Sequence, residues 1–314
     1  MNEISQILSV VDPTTDDQPA LRRAAWVAAN TGAELELFIC YYNEYLSGDR
    51  LFDSRSLQTT RKEVLDGYEK VLETLAEPLR QSGLTVRTRA VWDHPLYEGV
   101  VRHAAAINAD LVFKDAHHHS AISRALLTNT DWSLIRACAS PLWLVKAGDR
   151  PEKPVILAAI DPMNEHDKPA ALDDEILMLS KALAEASRAE MHVFHSYDPR
   201  VAISTATANA YIPVSLPFDE IEKQMREQHE KRFNEMVQYH EIDANHAHLV
   251  SGLTHEELPA LAKDLNALVV VMGAVARNPL KRLFIGSTAE RTLGQLPCDM
   301  LIVKPAWFHT AVND

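Results

Sequence analysis

"ILSVVDP", Ile7–Pro13, returns as "ILAAIDP", Ile156–Pro162. Each stretch is a short apolar run that stops at Asp-Pro and a polar loop, the pattern of a buried strand meeting a turn. The two lie 149 positions apart. Farther along, "INADLVF", Ile107–Phe113, matches "LNALVVV", Leu265–Val271, and "SPLWLVK", Ser140–Lys146, matches "CDMLIVK", Cys298–Lys304, now 158 positions apart. One unit therefore occurs twice, and the second copy has gained a net nine residues, which a surface loop absorbs and a core strand does not. The polar, proline-containing "AGDRPEKP", Ala147–Pro154, joins the copies. The expected domains are 1–148 and 154–307.

Within each copy, short β-rich runs alternate with longer stretches of helical spacing, the signature of βα units on a parallel sheet. The expected fold class is α/β: two tandem doubly wound domains, each a five-stranded parallel sheet flanked by helices. Strands are expected at Ile7–Val11, Glu34–Cys40, Thr85–Val91, Ala109–Phe113 and Leu142–Lys146. Those of the second copy fall at Val155–Ile160, Glu190–His195, His246–Val250, Leu268–Met272 and Met300–Lys304. Helices of the first copy are expected at Gln18–Thr31, Leu57–Ser82, Pro95–Asn108 and Leu126–Ala139. Gly32 and Gly83 stand just past two of them, where a left-handed residue ends a helix.

A chain of 314 residues, 46% hydrophobic and 24% charged, fits two ordinary globular cores and neither a disordered nor a fibrous class. The amino-terminal segment has no basic residue ahead of its apolar run, and no run reaches the roughly 20 residues of a membrane span, so a soluble cytoplasmic protein without a membrane partner is expected. A net charge of −13 repels a phosphate backbone and argues against nucleic acid. Cys40, Cys138 and Cys298 are far apart in apolar surroundings and are expected to be buried reduced thiols.

The segment that bears most on function is "VVVMGAVARNPLKRLFIGSTAERT", Val269–Thr292. A buried strand ends at Met272, Gly273 permits close backbone approach, and Gly286-Ser287-Thr288 opens a helix whose free N–H groups attract anions. The spacing resembles the nucleotide signature of the universal stress family: glycine, two residues, glycine, nine residues, glycine and Ser/Thr. Gly273, Gly286 and Ser287 match it, whereas Ala276 stands at the second glycine, at a cost on the order of 1 kcal/mol if that position needs positive φ. The resemblance implies ATP or AMP in the second copy, with Mg accompanying ATP, and it places Asp161 against the adenine or ribose. Met272, Arg277, Thr288 and the strand-end His195 complete the expected binding set; a relic loop that only shapes the fold is the competing reading.

The first copy's counterpart, "LVFKDAHHHSAISRALLTNTDWS", puts Asp115 at the first glycine, His118 at the second, Thr128 at the third and Asn129 at the hydroxyl position. A carboxylate there repels phosphate by about 3 kcal/mol at roughly 5 Å in an effective dielectric near 20. That copy is expected not to bind ATP and to act as a structural or regulatory partner, or as a site for another ligand. Tandem members of the family are stress-response binding proteins without established turnover, and domains of the family commonly pair through their last strands. The resemblance therefore implies an intramolecular pseudo-dimer of "LWLVK" with "MLIVK", with a homodimer of whole chains left open.

Two long loops follow the second strands. The second of them, with Val201, Ile203, Tyr211, Ile212, Val214 and Leu216, suggests an alternative function, a scaffold for an apolar ligand or protein partner. A slow ATPase relying on Asp161 is the remaining alternative; no catalytic motif is present, so no catalytic residue is assigned. His117–His119 and the alternating His246 and His248 have no cysteine or carboxylate partner at metal-site spacing, and no metal site is expected.

Overall fold

The computed structural model describes residues 4–47, 55–116, 127–163, 171–200, 217–274, 287–310 and 312. The first copy runs β1 (Gln6–Val10), α1 (Pro19–Thr31), β2 (Glu34–Tyr41), α2 (Arg55–Gln81), β3 (Val86–Trp92), α3 (Leu96–Ala106), β4 (Leu111–Asp115), α4 (Asn129–Ala137) and β5 (Leu142–Val145). The second runs β6 (Val155–Ala159), α5 (Ala171–Ser187), β7 (Glu190–Tyr197), α6 (Phe218–Tyr239), β8 (Ala247–Ser251), α7 (Thr254–Asp264), β9 (Val269–Gly273), α8 (Ser287–Gln295) and β10 (Asp299–Val303). The ten expected strands are all present, displaced by a residue or two at their ends.

Local chemistry accounts for the elements. In α1, Pro19 sits at the first turn, where its missing N–H costs nothing. Ala20, Leu21, Ala24, Val27 and Ala28 repeat at helical spacing and are buried. Gly32 then stops the helix with φ of 75°, donating its N–H to Ala28 O. Leu35, Leu37, Phe38 and Ile39 of β2 and Val269–Val271 of β9 are buried on both faces of the sheet, as a parallel sheet covered by helices requires.

All ten strands form one sheet in the order β3-β2-β1-β4-β5-β10-β9-β6-β7-β8. Every neighbouring pair is parallel except β5 with β10, which run antiparallel with Trp143 opposite Leu301. The last strands of the two copies thus pair within the chain, and two apolar edges cover each other. Helices α1, α2, α5 and α6 cover one face and α3, α4, α7 and α8 the other, so each of the two cores draws on both copies. Registers locate the insertion: Glu34 and Glu190 hold equivalent places 156 apart, so most of the nine extra residues lie between β6 and β7.

The seam is polar at its ends. Asp299, at the start of β10, is buried and lies 2.9 Å from Arg23 Nε of α1; it also accepts Trp143 Nε1 at 3.0 Å and Lys146 N at 2.9 Å. Burial raises the Asp299 carboxyl above the ordinary aspartate value, against the pull of Arg23. Two lysines follow the pseudo-twofold. Lys146 Nζ, past β5, donates to Leu296 O just beyond α8, and Lys304 Nζ, past β10, donates to Arg136 O in the last turn of α4 at 3.4 Å. Each ammonium meets the carbonyl end of the other copy's last helix, where the helix dipole favours positive charge. That contact gives the shared "VK" ending of both copies a physical role.

Candidate functional site

In each copy the first strand lies between the second and the fourth: β2-β1-β4 and β9-β6-β7. The chain leaves the first strand toward one side and returns on the other, so loops diverge at the carboxyl ends and leave a crevice, the place where doubly wound sheets take ligands. In the second copy β6 pairs with β9 through Ala159 and Met272. Asp161, just past β6, and Gly273, the last residue of β9, consequently sit across that crevice from each other, and Asp161, Met272 and Gly273 are all half-buried. The Asp161 N–H donates to the buried Asp173 carboxylate of α5, at 3.2 Å to Oδ1, which pins the loop to the helix.

Ser287 and Thr288 open α8. Ala276, Arg277 and Gly286 lie outside the described residues, as do His117–His119 and the apolar loop from Val201 to Leu216. His195 is buried near the carboxyl end of β7, its Nδ1 3.1 Å from Ile160 O and its Nε2 2.7 Å from His229 Nδ1 of α6. Its ring is stacked against that of His229. The structure therefore joins His195 to the strand end that carries Asp161 and to α6.

The first copy has filled the same places with its own carboxylates. Asp115, at the end of β4, accepts the N–H of Ala20 in the first turn of α1 at 2.7 Å. Asp131, buried in the first turn of α4, accepts Thr128 N at 2.8 Å and Thr128 Oγ1 at 2.9 Å, while Thr128 caps the helix in return. Lys114 Nζ, also buried, donates to Asp131 Oδ1 and to Asp115 O, both at 2.8 Å. Helix N-termini that would attract phosphate thus already face carboxylates. The sequence reading placed Thr128 at a glycine position but passed over Thr128-Asn129-Thr130-Asp131 as a capping box, whose spacing was the available signal.

Between β1 and β4 remains a cavity of about 280 Å³ bordered by Asp12, Thr14, Cys40, Leu96, Lys114 and Asp115. Asp115 Oδ2 is buried there and has no hydrogen-bond partner among the described residues. Burial pushes its carboxyl up to about 6, the Ala20 N–H and Lys114 only partly opposing. All three cysteines are free and buried. No described helix is long and apolar enough to cross a membrane.

The fold and crevices define a tandem doubly wound α/β protein whose candidate ligand sites lie at strand switch points. A model of the Universal stress protein family matches residues 3–146 and again 155–304, and the chain belongs to that family. It is 32% identical over 308 residues to universal stress protein E of Salmonella typhi, across 98% of this chain and 96% of that protein. To universal stress protein E of Escherichia coli K12 it is 31% identical over the same shares. Among solved structures, a protein of unknown function from Pseudomonas aeruginosa PAO1 aligns with a TM-score of 0.69 at 25% identity, covering 96% of this chain and 93% of that one. A universal stress protein from Archaeoglobus fulgidus DSM 4304 aligns at 0.66 with 16% identity, covering 96% and 99%, and attests the fold alone.

Proposed function

We propose that the second copy, within 154–307, is the nucleotide-binding half of a cytoplasmic stress-response protein and that it holds ATP or AMP without turning it over. The observation that carries this reading is the β6–β9 switch point, where Ala159 pairs with Met272 and so brings Asp161 and Gly273 to one carboxyl edge, with α8 opening at Ser287. Asp161 would meet the adenine or ribose. Gly273, Ala276, Gly286, Ser287 and Thr288 would bring backbone N–H groups to the phosphates, with Arg277 adding charge and Mg accompanying ATP. The first copy, 1–148, is its structural partner, since its carboxylates occupy the corresponding helix N-termini.

Isothermal titration of ATP into the full chain tests the reading, with Gly286→Asp placing a carboxylate at the cradle. Saturable binding to the wild type that is lost in the variant supports it. Absence of binding to the wild type refutes it and leaves the apolar loop from Val201 to Leu216 as the site to pursue.

A further inference from the structure

At the opposite, amino-terminal end of β7 and β8, four side chains meet on one face of the sheet's edge. Glu190 and His192 belong to β7; His246 ends a 3-10 turn, Ala244–His246, that leads into β8, and His248 lies two residues on. The ligand atoms of Glu190, His192 and His246 all lie within 4.8 Å of one another. His192 and His246 are stacked with ring centroids 4.2 Å apart, and His192 Nδ1 is 2.9 Å from His248 Nε2. His192 is only 6% exposed, and its buried Nε2 has no hydrogen-bond partner among the described residues; Glu190 Oε2 stands 3.7 Å from it.

The first copy is an internal comparison, because strand registers make Glu34, Glu36, Arg87 and Arg89 the equivalents of Glu190, His192, His246 and His248. There the same positions find partners of their own: Arg87 pairs with Glu34, and Glu36 lies 2.5 Å from His103 Nε2 of α3. The fold at this edge does not require histidine. The second copy has exchanged these carboxylate and arginine positions for one carboxylate and three imidazoles. Burial and the neighbouring rings hold His192 and His248 below the ordinary histidine value.

We propose that Glu190, His192 and His246 form a site for a divalent transition-metal ion of the zinc type, with His248 orienting His192 from behind. Two imidazoles and a carboxylate are the donor set such ions accept, with a fourth position left for water. Metal–nitrogen bonds of about 2.0–2.1 Å put tetrahedral ligand atoms roughly 3.4 Å apart, so closure needs shifts of about an ångström. Glu190, whose side chain is 60% exposed, is free to make them. A metal on His192 Nε2 selects the tautomer in which Nδ1–H donates to His248 Nε2, the outer bond that metal-bound histidines characteristically make.

The test uses untagged full-length protein in which His117, His118 and His119 are replaced by alanine, so that this tract does not compete. Co²⁺ is titrated by visible absorption and Zn²⁺ by calorimetry. The expected result is one Co²⁺ per chain with intense d–d bands, displaced by one equivalent of Zn²⁺. Binding should weaken about tenfold or more in Glu190→Gln and be lost in His192→Asn. Glu190 is at the surface, so its variant reports even if the His192 variant does not fold. Absence of Co²⁺ and Zn²⁺ binding, or binding undiminished by Glu190→Gln and His246→Gln, overturns the proposal.

Discussion

Replacing Asp115 by asparagine should make the protein more stable at neutral pH, although it removes a charge bonded to a helix N-terminus. One oxygen of this carboxylate accepts the Ala20 N–H while the other is buried beside the cavity with no hydrogen-bond partner among the described residues. Asparagine keeps an oxygen for Ala20 and carries no charge. The native carboxyl titrates at about 6 instead of 3.8. Below the lower value both folded and unfolded chains hold the proton and nothing is lost. Between the two values only the folded chain holds it, so stability falls as pH rises, and the loss is complete above the upper value. The full difference amounts to about 3 kcal/mol at about pH 7.5 and about 1 kcal/mol at about pH 4.5. Asparagine's own burial cost is the same at both pH values and cancels. Urea denaturation of wild type and Asp115→Asn at the two pH values should therefore show a benefit roughly 2 kcal/mol larger at the higher pH. A pH-independent difference, or one that grows unfavourable with pH, would refute the reasoning.

Arg23→Met leaves Asp299 buried with its charge uncompensated across the seam between the copies; a loss of about 3–5 kcal/mol is expected in the same denaturation assay, and removing Asp299 as well, in a double variant with Asp299→Asn, should restore part of it. Burial raises the thiols of Cys40 and Cys298 to about 12 and that of Cys138 to about 11, so none forms thiolate at moderately alkaline pH. Iodoacetamide should leave the native chain unmodified and label all three cysteines after unfolding, read by intact mass.

Much of this protein was legible in the residues themselves. Period and repetition are local properties: the pair Ile7–Pro13 and Ile156–Pro162, with the two "VK" endings, was enough to place two copies, and the short apolar runs placed the ten strands. That Asp161 and Gly273 stand at strand ends was legible too, because an apolar run must stop before a loop can begin. Hidden from the sequence was whatever depends on residues far apart in it. Glu190 and His192 are 54 or more positions from His246 and His248, and only the β7–β8 register brings the carboxylate to these histidines. Asp299 reads as an ordinary strand-start residue until β5 and β10 pair and bury it against Arg23 and Trp143. Asp115 reads as a lost glycine until α1 and α4 arrive, when it proves to be one of two carboxylates already occupying helix N-termini. Pattern determined which segments are strands and helices because that choice is settled by the nearest residues. Which charges face each other, and which stay unpaired, was decided only by folding, since pairing energy depends on distance and burial that the linear order does not contain.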